Sequence, residues 1–95
     1  MSKIEIENIL QPGKTYRVDA AKFQAMRAAF LAAVPDTAHG ATPAQILVAA
    51  RPHLPADLFP GGEKAGWWSK AVQLDLEAKR MIRRSDTPPV RLYRA

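Results

Sequence analysis

The chain has 95 residues, no cysteine and a formal net charge of +5. That length holds one domain, and a composition 47% hydrophobic and 24% charged is wrong for a disordered chain. Without cysteine there are no disulfides, thiolate zinc sites or thiol catalysis, which fits a reducing, cytoplasmic setting; no apolar run approaches the ~20 residues of a membrane span.

The opening MSKIEIENI alternates charge with isoleucine, unlike a signal peptide. Its period of two places Ile4 and Ile6 on one face of a short strand, with Glu5 and Glu7 on the other. Gln11-Pro12-Gly13-Lys14 carries the Pro-Gly signature of a type II turn, and Thr15 to Val18 alternates again. Residues 1–18 are therefore expected to form a strand pair.

Asp19 is placed to cap a helix. From Ala20 to Val34, Phe23, Met26, Phe30 and Val34 recur at helical spacing until Pro35 stops the run. Thr42-Pro43-Ala44-Gln45 is a capping box with Pro at the first helical position, opening a short second helix that Arg51-Pro52 ends. The connection PHLPADLFPGG, residues 52–62, holds three prolines and two glycines.

A third helix is expected from Glu63 or Lys64 to about Arg80. Trp67, Ala71, Leu74, Ala78 and Met81 share one face, and Trp68, Val72 and Leu76 form a second stripe. The remaining face presents Ser69, Lys70, Gln73, Glu77 and Arg80 as a narrow polar strip, and Asp75 and Lys79 lie between the stripes. So wide an apolar arc suits a central helix, or one that packs on the N-terminal strands or on a second subunit. Ile82-Arg83-Arg84 and Val90 to Arg94 then read as two short strands joined through Ser85 to Pro89.

The charge is unevenly placed. Residues 1–63 carry six basic and six acidic residues, whereas residues 64–95 carry eight basic residues against Asp75, Glu77 and Asp86. The excess belongs to the third helix and the last hairpin. This points to a polyanionic partner, with a merely solubilising surface as the alternative.

Three helices followed by a basic hairpin is the order of a winged helix. The spacing W-x-x-x-V-x-x-x-L-E-x-K, running into paired arginines, a turn and V-R-L-Y-R, resembles a recognition helix and its wing. The chain is similar to the winged-helix domains found beside Mrr-type restriction nucleases, and to small stand-alone bacterial winged-helix-like proteins of unknown function. Pro55 to Trp68, P-x-D-L-F-P-G-G-x-K-A-G-W-W, looks like a signature of the latter group. The resemblance implies an α+β fold: a strand pair over residues 1–18, a three-helix core over 19–81 and a wing hairpin over 82–95. It carries no established activity. The chain departs from winged helices in having Arg80 where they commonly place glycine, and in its long connection between the second and third helices.

The first functional expectation is binding of double-stranded DNA. Ser69, Lys70, Gln73 and Arg80 on the third helix would face the major groove. Arg83, Arg84, Arg91 and Arg94 in the wing would meet phosphate or a minor groove. Glu77, an acid in mid-strip, favours the plainer reading of a solvated helix face. The second expectation is an adaptor role, toward another protein or a second copy of the chain. Trp67 and Trp68 are adjacent and point about 100° apart on a helix, so one serves the core and the other packs on a hairpin or forms an interface, unless both are core. Catalysis is not expected: His39 and His53 have no partner at metal-ligand spacing, Gly61-Gly62-Glu63-Lys64 lacks phosphate-loop spacing, and Asp75 and Glu77 diverge on a helix. Neither a metal nor a cofactor is implied.

Overall fold

The computed structural model describes residues 2–95. Strands β1 (Lys3–Glu7) and β2 (Thr15–Asp19) pair antiparallel, with Ile4 opposite Val18 and Ile6 opposite Tyr16. The turn between them is set by Gly13, whose φ of +86° suits glycine, and Lys14 N–H donates to the Gln11 carbonyl at 3.2 Å. Asp19 then accepts from Lys22 N–H at 3.0 Å and starts helix α1 (Ala20–Ala33).

Helix α2 (Pro43–Ala50) opens on the expected capping box. The Thr42 hydroxyl accepts from Gln45 N–H at 3.2 Å, and the Gln45 side chain accepts from Thr42 N–H at 2.9 Å. Two single 3-10 turns, Arg51–His53 and Pro60–Gly62, break the long connection that follows. Helix α3 (Ala65–Ala78) leads into strands β3 (Ile82–Arg84) and β4 (Leu92–Arg94), which pair antiparallel. The fold is thus α+β, with three helices and two small antiparallel hairpins. Both α3 and the last strand are shorter than the sequence pattern suggests: Lys79 and Arg80 lie beyond the helix, and Val90 and Arg91 precede β4.

Helix α3 is the central element, packed against α1, α2, β1 and β3. Its stripe of Trp68, Val72 and Leu76 meets Phe23, Met26 and Phe30 of α1, with Ile46, Ile82 and Leu92 closing the core. The segment between α1 and α2 joins the last hairpin through a bridge of Ala41 to Leu92, with reciprocal backbone bonds of 3.0 and 2.8 Å. That approach requires Gly40: its φ is +69°, and a Cβ there would sit 2.7 Å from the Leu92 carbonyl oxygen.

The N-terminal hairpin docks on α3 by polar contacts at one edge. Asp75, fully buried, accepts from Glu7 N–H at 2.8 Å and pairs with Lys79 Nζ at 2.8 Å. Ile9 N–H donates to the Leu74 carbonyl at 3.2 Å. Because Glu7 N–H turns outward to α3, this edge of β1 is occupied.

Candidate functional site

Helix α3 does not present the polar strip that its sequence suggests. Ser69 is 6% exposed, Gln73 1% and Glu77 8%, so the first two cannot reach a base edge. Gln73 Nε2 donates to Glu77 Oε2 at 3.1 Å, and Glu77 is in turn held by the last hairpin. Gln73 and Glu77 therefore belong to an internal network with Arg84, in which the bonds they make offset their lost hydration. Lys70 remains exposed, one helical turn from Trp67. Trp67 is 58% exposed and Trp68 8%, so Trp68 is the core residue. The two rings meet edge to face, with centroids 4.9 Å apart.

Register decides the fate of the wing arginines. Ile82 lies opposite Arg94, Arg83 opposite Tyr93 and Arg84 opposite Leu92. Alternation puts Arg84 and Arg94 on the face of buried Ile82 and Leu92, where both turn back to the body of the protein. Arg84 clasps Glu77 with two bonds, Nε to Oε1 at 2.8 Å and a second guanidinium nitrogen to Oε2 at 3.0 Å. That hydrogen bonding, against a smaller loss from burial, raises the Arg84 guanidinium further above its ordinary range. Arg94 donates to the Leu31 carbonyl at 2.5 Å, satisfying an orphan acceptor in the last turn of α1. Arg91 lies beside His39, with 3.3 Å between nitrogens.

Arg83 faces the other way. With Arg80, Arg84 and Tyr93 it lines an open cleft of about 390 Å³ between the end of α3 and the hairpin; Glu77 and Asp86 also reach it. Among the described residues, Arg80 and Arg83 form no ion pair. Arg80 has a φ of +60° and closes α3 as a Schellman cap: its N–H donates to the Glu77 carbonyl at 3.1 Å, and Met81 N–H to that of Leu76 at 2.9 Å. The left-handed residue is thus present where the sequence lacks glycine, and an arginine fills it. The structure therefore gathers Arg80, Arg83 and Arg84 at one cleft, leaves Lys70 beside Trp67, and sends Arg91 and Arg94 to other partners.

No helix of the described residues is long and apolar enough to cross a membrane. A family model described as "Family of unknown function (DUF6958)" matches residues 3–92. No curated protein and no solved structure matches the chain.

Proposed function

The chain belongs to the DUF6958 family of unknown function, and from its own geometry we propose a non-catalytic, winged-helix-like module that binds nucleic acid through backbone phosphates. One observation carries the reading. Two arginines that form no ion pair among the described residues, Arg80 and Arg83, open into the same cleft, beside a third, Arg84, whose orientation Glu77 fixes. Guanidinium groups gathered in this way suit phosphate, which accepts in the same forked geometry as a carboxylate.

The order of elements supports it. A bridging residue between the first two helices, then a third helix and a hairpin whose last strand takes that bridge, is the winged-helix order. Burial of Ser69 and Gln73 separates this reading from base recognition by α3. Contacts to phosphate position a protein without reading sequence, so the module discriminates little between duplexes.

The test is fluorescence anisotropy on labelled duplexes of shuffled sequence at low salt. Binding that varies little with sequence, and that falls when Arg80 and Arg83 are both replaced, supports the reading. Binding that depends on sequence and is lost in Gln73→Ala refutes it.

A further inference from the structure

The N-terminal hairpin has one occupied edge and one open edge. Helix α3 takes the β1 edge through Asp75 and the Leu74 carbonyl. Alternation along the ladder then turns the backbone N–H and C=O groups of Thr15 and Arg17 outward from β2. Among the described residues neither has a hydrogen-bond partner there. Beside this strand lies a groove of about 450 Å³, floored by Ile6, Val18, Ala71 and Leu74 and flanked by Tyr16 and Trp67. Tyr16 and Trp67 are both exposed, and the edge-to-face contact with Trp68 orients the Trp67 ring.

We propose that this groove is a docking site for an extended segment of another protein, which adds to β2 as a third strand and places a large apolar side chain between Trp67 and Tyr16, next to an acidic residue. Main-chain bonding to an open strand edge, with a pocket for alternate side chains, is a general mode of peptide recognition. Charge selects the partner. Arg17 and Lys70 stand exposed at the rim and form no ion pair among the described residues, against Glu7 as the one acidic residue lining the groove. A second copy of the chain fits poorly, since it brings the same basic rim and a net charge of +5. The site is separate from the arginine cleft and stands or falls without it.

The experiment pans a phage-displayed random peptide library on the immobilised protein, then measures the selected peptides by Trp67 fluorescence and by amide exchange. The expected peptides share a large apolar residue beside Asp or Glu, and on binding they slow exchange of the Thr15 and Arg17 amides. Trp67→Ala weakens them by at least about tenfold. Arg17→Pro, which removes the outward N–H, weakens them more than Arg17→Ala, which removes only the charge. The exchange measurement on wild-type protein decides the strand addition even if Arg17→Pro does not fold. Four results overturn the proposal: no enrichment over panning on Trp67→Ala; selected peptides without acidic residues; no added protection at Thr15 and Arg17; or self-association in sedimentation that Trp67→Ala abolishes, which makes the occupant a second copy.

Discussion

Glu77 and Arg84 are joined by two hydrogen bonds of 2.8 and 3.0 Å, and this pair ties the last hairpin to the central helix. Glu77 is buried whereas Arg84 keeps a partly exposed flank. Losing Arg84 therefore leaves a desolvated carboxylate, while Glu77→Gln keeps one acceptor for it. We expect Glu77→Gln to cost about 1–2 kcal/mol in urea unfolding and Arg84→Met to cost more.

The pair has a defined pH signature. Hydrogen bonding to Glu77 raises the Arg84 pKa above the ordinary guanidinium value. A raised pKa stabilises the fold below the unfolded value, and that stabilisation fades only as pH climbs through the still higher folded value. The stability difference between wild type and Arg84→Met should therefore stay level from about pH 7 to about pH 10. A difference that shrinks across that interval contradicts the assignment.

Arg80 separates stability from binding. It holds a φ of +60° at the end of α3, where glycine has no Cβ to strain. Arg80→Gly should raise stability by about 1 kcal/mol while weakening nucleic-acid binding. Chemical denaturation and anisotropy on one preparation read both effects.

Asp75 anchors the N-terminal hairpin through Glu7 N–H. Asp75→Ala removes that acceptor and leaves Lys79 without its partner, with an expected loss of about 2–3 kcal/mol. Exchange at the Glu7 amide should accelerate more than exchange within α1.

Two glycines with positive φ should respond differently. An added Cβ at Gly13 meets nothing within 4 Å, so Gly13→Ala costs only the strained turn, about 1 kcal/mol. Gly40→Ala also drives a Cβ against the Leu92 carbonyl, so its thermal midpoint should fall much further.

Local grammar in the sequence reached far. The Pro-Gly turn, the Asp19 cap, the Thr42–Gln45 box and the α1 stripe each depend on neighbours within four residues, and each is found in place. The solvent face of α3 was not legible, because a helical wheel equates polar with exposed. Glu77 is held by a partner that arrives after the helix has ended, Gln73 bonds Glu77 in turn, and Asp75 accepts from a backbone amide 68 residues away in sequence. One signal was available: period two from Ile82 puts Arg84 on the core side, where a buried acid has to meet it. Spacing also found the wing arginines as a group, but strand register, which short runs fix weakly, decided that Arg83 faces the open cleft while Arg84 and Arg94 are held.

The central claim is that Arg80 and Arg83 bind nucleic-acid phosphate without help from the α3 face. The most direct measurement is the salt dependence of duplex binding, compared between wild type and the Arg80→Gly/Arg83→Ala double variant. Each phosphate contact adds about −0.9 to the slope of log K against log salt, so the double variant should flatten that slope by about 2 at every duplex sequence. A slope unchanged by the double variant, or no micromolar binding by the wild-type protein at low salt, contradicts the account.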